Sequence, residues 1–432
     1  MKDTRGIKIC VTRTDAIGDM VLSTPIFQIL KRNYPTSRLY VYCRKYCADI
    51  IKSNPNVDEI IIEEHQSLLT ESKRLRSYNF DLYISLYEHP YYMWLGFFAK
   101  IKTRVGFANS PFSWMGYTKS CRFPWKDPFN HQVDCHLELL KLLEINSFSN
   151  DDKTPRIYSD SKHRLNNRVT VALDGRPFNR VWDKSEIASI VRQLIQKGYQ
   201  VDLVGDEQSR HIGSYISNEV ISDDLVDLTG TLSLLETINR IDESTFYVGH
   251  DTGLMHIAAA LGVKVVVYFI TKHQCPGRFY PRGVDFQLIK PWGQCPYICN
   301  ADKCKHSDCL SSIEAKDVLL AFDRIVRKDA STDIQASVLS VLKIGSESMD
   351  KQTDVHFVHV SAINFHNFIK VIKLIISDNI WVIHASTPTI LNKILLYVTR
   401  KVVSMYPFLI VNNLSFSKDE YVDYIRLALR SK

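Results

Sequence analysis

The chain has 432 residues, of which 45% are hydrophobic and 23% charged, and it carries a formal net charge of +7. This composition is typical of a globular protein and excludes a disordered or fibrous chain, while the length exceeds that of one ordinary domain. Strongly apolar runs such as Val263–Ile270 are too short to span a bilayer. The positive charge favours anionic partners, but the sequence shows no nucleic-acid-binding motif, so we expect no nucleic-acid partner.

The first predicted strand, Ile7–Thr12, leads into the segment Asp15–Pro25 and then into a helical pattern that ends near Asn33. A strand that breaks at a glycine and restarts as a helix directs amides and side chains to one point, where an open α/β sheet builds its site. Asp19 stands at that point. Its carboxylate can accept a proton from a substrate hydroxyl, or it can cap the helix that begins at Met20.

The first half of the chain alternates predicted strands with predicted helices, which indicates a mostly parallel, doubly wound sheet. The further strands are Leu39–Cys43, Val57–Ile62, Phe80–Leu86 and Arg104–Phe107, and the helices lie near Lys45–Lys52, Tyr91–Lys100 and Val133–Ile145. The polar stretch Asn146–Asn167 indicates an interdomain linker. We therefore set the first domain at residues 1–150 and the linker at 151–167.

A second alternating unit follows, and we set its bounds at residues 168–329. Its predicted strands are Arg168–Leu173, Gln200–Val204, Leu225–Leu228, Thr245–Gly249 and Lys264–Phe269. Its predicted helices include Ser185–Lys197, which Gly198 ends, and Ile313–Val326 at the end of the domain.

Residues 330–432 form a third region of unknown role, a small α/β extension. The segment Ala330–Thr353 is rich in Ser and Asp, which is typical of a flexible chain. The predicted strands are Val355–Val360, Trp381–His384 and Phe408–Val411, and the predicted helices are Phe368–Ile376 and Ile390–Met405. The second helix carries basic residues beside an apolar face, which fits a membrane-surface helix or a helix packed on its own small domain.

A second strand-to-helix corner lies far downstream. The stretch Thr245–Gly249 predicts a buried strand, His250–Leu254 predicts a turn, and an Ala-rich helix follows. Free amides at a helix N-terminus, together with the helix dipole, favour phosphate. Asp251 and Thr252 in this turn can hydrogen-bond a ribose or a phosphate, and His256 lies one helical turn further on.

The two corners together resemble the motifs of glycosyltransferase family 9, the lipopolysaccharide heptosyltransferases. That family begins with Ile-Gly-Asp-x-x-Leu-x-Thr-Pro, and this chain has Ile-Gly-Asp-Met-Val-Leu-Ser-Thr-Pro at Ile17–Pro25. The family's second motif, Asp-Ser/Thr-Gly-x-x-His-x-Ala-Ala-Ala-Leu-Gly-Val, is matched by Asp251–Val263. Weaker similarities lie at Asn54–Asp58 and Thr103–Phe107, and the resemblance covers residue 7 to about residue 326.

The resemblance implies a GT-B fold of two facing, doubly wound Rossmann-like domains, and it implies an inverting glycosyltransferase. It assigns the role of the base to Asp19. For the donor diphosphate, a Lys or Arg precedes a Trp in the family, and here Arg180 precedes Trp182 by two positions. The donor residues that follow from the resemblance and from the second corner are Arg180, Glu207, Asp251, Thr252, Gly253, Leu254 and His256.

Two of these donor assignments stay open. The family has an acidic residue after the second strand of the second domain that contacts the donor ribose or base. Glu207 fits that position, but Asp206 could serve, and a helix cap is an equal alternative. His256 either touches the diphosphate or satisfies a buried carbonyl.

The acceptor side is expected at Gly18, Lys102 and Arg104. Aromatic residues at Tyr87–Trp94 and Phe112–Met115 are interleaved with Lys102, Arg104 and other basic residues. Aromatic rings stack on sugars and also suit a lipid headgroup layer, and bases suit the phosphates and carboxylates of a glycolipid. The same pattern also fits a helix with buried aromatics and a solvated basic edge.

The cysteines do not require a metal. Four of them form a cluster with spacings wider than those of common zinc ribbons, at Cys295, Cys299, Cys304 and Cys309. We favour reduced or redox-active loop thiols over structural zinc. The sequence contains no Asp-x-Asp triplet, which argues against a metal-chelating transferase of the other major fold and for amides and cations around the diphosphate.

We therefore expect a metal-independent glycosyltransferase without cofactor that moves a sugar, heptose from ADP-heptose by the resemblance, onto a lipopolysaccharide core acceptor. One alternative keeps the fold but uses another nucleotide sugar for a capsule, O-chain or protein glycan. Another is a non-catalytic nucleotide-binding scaffold in glycan assembly. Because Met1–Gly6 leaves no room for a signal peptide, we expect a cytoplasmic protein with peripheral contact to the inner membrane and an anionic glycolipid partner.

Overall fold

The structure is a computed structural model, and it describes residues 6–109, 112–123, 130–159, 161, 164–173, 182–269, 276–289 and 313–330, together with four short strands between 341 and 412. The chain divides into two compact units, Met1–Ile325 and Val326–Lys432. The first unit contains two six-stranded parallel sheets, and the second contains a four-stranded parallel sheet. Among the described residues, no helix has both the length and the apolar character needed to cross a bilayer.

The first sheet confirms the predicted alternation of strands and helices in the amino-terminal half. Its strands are β1 (Lys8–Thr12), β2 (Arg38–Cys43), β3 (Glu59–Ile62), β4 (Leu82–Ser85), β5 (Thr103–Phe107) and β6 (Lys119–Cys121). They lie in the order β3-β2-β1-β4-β5-β6, and each neighbouring pair is parallel. The short edge strand β6 was not predicted, because its Lys-Ser-Cys sequence has no apolar pattern.

The helices of this half alternate with its strands along the chain. They are α1 (Ile17–Val21), α2 (Thr24–Asn33), α3 (Lys45–Ile51), α4 (Leu68–Ser77), α5 (Pro90–Phe98), α6 (Ser113–Gly116) and α7 (Gln132–Lys141). Helix α2 starts with a proline in its first turn and buries an apolar stripe that includes Ile26 and Leu30. Burial of such a stripe is expected for a helix of a doubly wound fold.

The second sheet repeats the design. Its strands are β7 (Leu165–Ala172), β8 (Gln200–Val204), β9 (Leu225–Asp227), β10 (Ser244–His250), β11 (Lys264–Tyr268) and β12 (Phe286–Ile289), in the order β12-β11-β10-β7-β8-β9. Its helices are α8 (Lys184–Gln196), α9 (Arg210–Glu219), α10 (Leu234–Asp242), α11 (Gly253–Ala260), α12 (Pro276–Phe279) and α13 (Ala315–Ala330). The capping box of Ser233 and Glu236 fixes the start of α10. Strand β12 was not predicted.

The polar stretch that we predicted to be a linker is tied to both sheets. Asp152 is buried and accepts hydrogen bonds from the guanidinium of Arg32 on α2. Arg164 donates to the carbonyl oxygens of Leu261 and Gly262, at 2.8 and 3.0 Å. Strand β7 already begins at Leu165, inside the predicted linker. The described residues of the segment therefore contact both lobes.

The second unit contains four parallel strands in sequential order. They are β13 (Val341–Lys343), β14 (Phe357–Val360), β15 (Val382–Ala385) and β16 (Ile410–Asn412). Three of them confirm predicted strands. Strand β13 lies inside Ala330–Thr353, so the expectation of flexibility is wrong at those three residues. The predicted helices Phe368–Ile376 and Ile390–Met405 lie outside the described residues.

Candidate active site

The two sheet-to-helix corners meet in the structure. Helix α1, which follows β1, packs against α11, which follows β10. A Cβ added to Gly18 would lie 2.8 Å from Cδ2 of His256 and 3.6 Å from the Cα of Gly253. A Cβ added to Gly253 would lie 2.7 Å from Cγ2 of Ile17. Both glycines are thus required by the close approach of the two helices.

Asp19 lies in the first turn of α1 and does not cap it. The N-cap residue is Ala16, and the carboxylate of Asp19 instead accepts a hydrogen bond from Nη2 of Arg13 at 2.5 Å. The side chain of Asp19 keeps 24% of its surface exposed. It lies near enough to His256 for its negative charge to act on that imidazole. The carboxylate is therefore held, partly accessible, at the junction of the two motifs.

Arg13 organises the residues around Asp19. Its side chain is 3% exposed, and Nε lies 2.7 Å from Oδ1 of Asp15. Nη1 donates to the carbonyl oxygen of Leu86 at 2.5 Å and lies 3.1 Å from Nε2 of His136. Burial disfavours the charged guanidinium, but the neighbouring carboxylates outweigh burial and raise the pKa of Arg13. Each nitrogen of the guanidinium therefore has a defined neighbour.

Two further carboxylates lie close to Asp19. Burial raises the pKa of Asp15 to about 7, and the charge of Asp19 adds to the shift while Arg13 opposes it. Burial also raises the pKa of Glu88, which follows β4, although Arg13 and Arg278 act in the opposite direction. The site thus gathers several acidic groups around one buried cation.

His256 belongs to the second motif and lies where that motif contacts the first. Its Nε2 is 3.7 Å from Oδ1 of Asp251, and its ring is within contact distance of a Cβ built on Gly18. Burial lowers the pKa of His256 to about 4, and the charge of Asp19 only partly offsets this. The imidazole is therefore neutral at pH 7 and can donate or accept one hydrogen bond at this position.

The second motif presents the N-terminus of α11 at the same junction. Thr252 is the N-cap residue, and its side chain makes no cap hydrogen bond within the helix. The amides of Met255 and His256 donate to the carbonyl oxygen of Thr252 at 3.1 and 3.4 Å. The amides of Gly253 and Leu254 come before these two in the chain and lie at the start of the helix, where a helix end favours an anion.

Asp206 and Glu207 differ in their contacts. Asp206 accepts hydrogen bonds from the amide and the hydroxyl of Ser209, at 3.2 and 3.0 Å, and caps the short 3-10 turn after β8. Glu207 is 74% exposed and forms an ion pair with Arg210 at 2.8 Å. Of the two carboxylates, Glu207 is the one free of a capping role, which favours its assignment to the donor.

Two of the residues expected on the acceptor side are placed elsewhere. Arg104 belongs to the start of β5, and its Nε donates to the carbonyl oxygen of Gly116 at 2.6 Å. Lys102 directly precedes the same strand. Because all strands of this sheet are parallel, both residues lie toward the amino edge, whereas Asp19 lies beyond the carboxyl edge of β1. Lys102 and Arg104 therefore lie away from Asp19 along the strand direction, and their assignment to the acceptor stays a prediction.

Several sequence predictions fall outside the described residues. Arg180 is among them, and so is the cluster Cys295, Cys299, Cys304 and Cys309. The neighbouring Trp182 is described: it is buried and donates from Nε1 to the carbonyl oxygen of Ile313 at 2.9 Å. Within the part of the chain that is described, no group of three or more His, Cys, Asp or Glu side chains could hold a metal ion.

Contacts that the sequence did not indicate join the carboxyl-terminal sheet to α7. Nη1 of Arg282 lies 2.8 Å from Oδ2 of Asp134. Nε2 of His131 lies 3.1 Å from the carbonyl oxygen of Tyr280, and the two rings are 4.6 Å apart. Arg278 lies over the ring of Phe123 at 5.2 Å. These contacts fix the second sheet against the first beside the junction of α1 and α11.

The candidate site lies where the motif that follows β1 contacts the motif that follows β10. Together with the two parallel sheets, it defines a two-lobed α/β protein of the GT-B class. The sequence profile of glycosyltransferase family 9 (heptosyltransferase) matches residues 69–284. This match includes the Asp251–His256 motif, and Asp19 lies before it. The chain therefore belongs to glycosyltransferase family 9, the heptosyltransferase family, and is a glycosyltransferase-type enzyme.

Known relatives match about three quarters of the chain. Lipopolysaccharide heptosyltransferase 3 of Escherichia coli (strain K12) is 25% identical over 346 residues, which are 72% of this chain and 96% of that protein. A family 9 glycosyltransferase structure from Veillonella parvula has a TM-score of 0.66 at 18% identity and covers 76% of this chain and 99% of its own. The E. coli ADP-heptose LPS heptosyltransferase II has a TM-score of 0.62 at 20% identity, over 75% and 100% of the two chains. At these identities the structural likeness shows the fold.

Proposed function

We propose that this enzyme transfers heptose from ADP-heptose to a sugar hydroxyl of a lipopolysaccharide core. The observation that carries the proposal is the contact of Gly18 with Gly253 and His256, which sets a partly exposed carboxylate, Asp19, beside the N-terminus of α11. The E. coli relatives support the choice of sugar and acceptor, because they are lipopolysaccharide heptosyltransferases and one is described as using ADP-heptose.

In the proposed reaction, Asp19 acts as the general base. It takes the proton of the acceptor hydroxyl as the hydroxyl oxygen forms a bond to the anomeric carbon of the donor. The bond from that carbon to the diphosphate oxygen breaks, its electron pair stays on the ADP, and the configuration inverts. A positioned base contributes a rate factor of about 10²–10⁴. Arg13 holds Oδ1 of Asp19, and we assign Oδ2 to the acceptor hydroxyl.

The departing diphosphate is proposed to lie on the amides of Gly253 and Leu254. The helix dipole of α11 and the hydroxyl of Thr252 would stabilise the charge that develops on it. Arg180 would add a cation, and Glu207, at the carboxyl edge of β8, would bind the donor ribose or base. Because the sequence has no Asp-x-Asp triplet, we propose that amides and cations replace a metal ion here.

Gly18 completes the proposed site on the acceptor side. The lack of a side chain at this position lets α11 approach, and we assign Gly18 to the acceptor side because it directly precedes Asp19. Neutral His256 would then donate or accept a hydrogen bond at the boundary between donor and acceptor. The approach of the two lobes would exclude water and so limit hydrolysis of the donor.

The proposal is tested by product analysis. The full chain is incubated with ADP-heptose and a heptose-deficient core glycolipid, and the mass of the product is measured by mass spectrometry. A gain of one heptose together with release of ADP supports the proposal. If transfer occurs only from another nucleotide sugar, the proposed donor is wrong but the enzyme is still a glycosyltransferase. Nucleotide binding without transfer to any of a panel of acceptors would favour the scaffold and contradict the proposal.

A further inference from the structure

Helix α5 is apolar on its outer as well as on its inner side. Its sequence, Pro-Tyr-Tyr-Met-Trp-Leu-Gly-Phe-Phe, contains no charged residue. Tyr92, Met93 and Leu95 are buried against the sheet, whereas Phe97 and Phe98 on the outer side are 38% and 37% exposed. A surface helix ordinarily turns a polar face to water, so an apolar outer face marks a contact surface.

The exposed rings form one cluster. The ring of Trp94 lies 5.4 Å from Phe97 and 5.9 Å from Phe98, and the two phenylalanine rings are 5.4 Å apart. Helix α4 continues the surface, since Ser72 packs against α5 with its hydroxyl 3.4 Å from the carbonyl oxygen of Leu95. Leu69 on α4 is 59% exposed.

Bases surround this cluster. Lys73 and Arg76 are exposed and lie four and seven residues after Leu69, on the same side of α4. Nη2 of Arg76 donates to the carbonyl oxygen of Phe98 at 2.6 Å. The exposed Lys100 follows α5 directly. We call the set Leu69, Lys73, Arg76, Trp94, Phe97, Phe98 and Lys100 the α4–α5 surface.

The charge of this region is strongly one-sided. Residues 65–123 hold eight Lys and Arg residues and three Asp and Glu residues, in a chain whose net charge is +7. Glu71 is buried and paired with Arg74, Asp81 accepts a hydrogen bond from the amide of Lys8, and Glu88 lies near Arg13. The three acids therefore do not neutralise the exposed bases of the surface.

We propose that the α4–α5 surface docks the enzyme on an anionic phospholipid membrane. Aromatic side chains favour the headgroup layer, and neighbouring Lys and Arg side chains are attracted to the negative surface potential of such a membrane. This inference deepens the proposed function, because a glycolipid acceptor is held in a membrane and the docked enzyme would meet it there. A second copy of the chain, with a net charge of +7, matches these bases less well than an anionic membrane does.

The test uses the full chain and sedimentation with vesicles that contain neither acceptor nor donor. Vesicles of phosphatidylcholine with about a quarter of phosphatidylglycerol are compared with pure phosphatidylcholine at low and high salt. We expect binding to the anionic vesicles and weaker binding at high salt. The variants Phe97→Ser/Phe98→Ser and Lys73→Gln/Lys100→Gln should each bind these vesicles about fivefold more weakly than the wild type.

The controls lie outside the surface. Ile221→Ser removes a side chain that is 93% exposed in the second lobe, and Lys52→Gln/Lys197→Gln removes the same number of charges as the lysine pair. Both controls should bind vesicles as the wild type does. The lysine pair leaves the packed rings in place, so it tests the surface even where the double serine variant fails to fold.

The lysine pair is also assayed for transfer to a soluble core oligosaccharide and to the same acceptor in vesicles. We expect this variant to lose transfer only to the acceptor in vesicles. If the wild type also fails to transfer to either form of the acceptor, the result would concern the proposed function and not the surface. Absence of vesicle binding, or binding unchanged in both surface variants, would overturn the inference. A wild-type dimer that Phe97→Ser/Phe98→Ser converts to a monomer, without vesicle binding, would assign the surface to a second copy.

Discussion

The guanidinium of Arg13 is joined to the carboxylate of Asp19 by an ion pair of 2.5 Å, and the same guanidinium binds Asp15 through its Nε. One buried cation thus contacts two carboxylates in the segment that follows β1. Breaking such a pair by removing the cation leaves buried negative charge without compensation, which is costly. Arg13 is therefore a positioning residue for the proposed base.

Replacing Arg13 by Gln is expected to lower kcat by about 10²-fold with little change in the KM for the donor, because the base loses its orientation. The substitution also removes the positive charge beside the carboxylates of the site, so the acid limb of the pH–rate profile should move to higher pH. Arg13→Lys keeps the charge but loses the fork, and it should restore the acid limb more fully than kcat.

The control for this series is Arg32→Gln. It breaks another ion pair with a buried carboxylate, Asp152, in the last turn of α2. It should lower stability without moving the pH–rate profile. A profile that is equally shifted in both variants would mean that Arg13 has only a structural role.

Gly18 and His256 are expected to be energetically coupled. A methyl group on Gly18 would meet Cδ2 of His256 at 2.8 Å, so Gly18→Ala should lower both kcat/KM and the free energy of unfolding. In the His256→Ala background the same substitution should have little further effect. The double-mutant cycle should give a coupling of about 1–2 kcal/mol. Additive effects would show that the two helices do not meet at this pair.

Asp15 should make stability depend on pH. Its pKa is about 7 in the folded chain, against 3.8 for an ordinary aspartate, so the folded state binds the proton more tightly than the unfolded state. Stability is therefore lost as pH rises from about 4 through 7. Relative to the wild type, Asp15→Asn should gain about 1–3 kcal/mol at pH 8 and should gain nothing near pH 4.

Chemical denaturation at several pH values measures this difference. The control is Asp223→Asn, because Asp223 is exposed in the second lobe. Its difference from the wild type should not vary with pH. A pH-independent difference for Asp15→Asn as well would show that Asp15 is charged in the folded state throughout this range.

The nucleotide should be identified by its effect on melting temperature, because a ligand of the native state stabilises it by mass action. ADP should raise the melting temperature more than UDP, GDP or CMP. Glu207→Ala should reduce the rise with ADP and leave the melting temperature of the free enzyme unchanged. Asp206→Ala should instead lower the melting temperature of the free enzyme, since a lost cap costs about 1 kcal/mol. The reverse pattern would exchange the two roles.

Much of the fold could be predicted from the sequence. The strand-to-helix corners at Asp19 and Gly253 were located because an apolar strand, a glycine and a helical pattern follow one another over a few residues. The edge strands β6 and β12 were missed, because a strand at the edge needs no continuous apolar run. The assignment of Arg104 to the acceptor stays a prediction. It came from the charge of the residue, whereas its location depends on the parallel register of β5, which places it toward the amino edge.

The organisation of the site was less accessible. Arg13 follows an apolar strand and could have been noticed as a charged residue in a buried position, but two of its four partners, Leu86 and His136, come from distant parts of the chain. Arg278 and Arg282 reach the first lobe from the second, and no local pattern indicates such contacts. Side-chain partners across lobes follow from tertiary packing, which the periodicity of one segment does not encode.

The most direct test of the account is to measure donor binding and transfer together in Asp19→Asn. This variant keeps the size of the side chain and removes the base. We predict that ADP-heptose binds within a few-fold of the wild-type affinity, while single-turnover transfer to the core acceptor falls by about 10²–10⁴-fold. Transfer within about tenfold of the wild type, with intact binding, would contradict the role of Asp19 as the base.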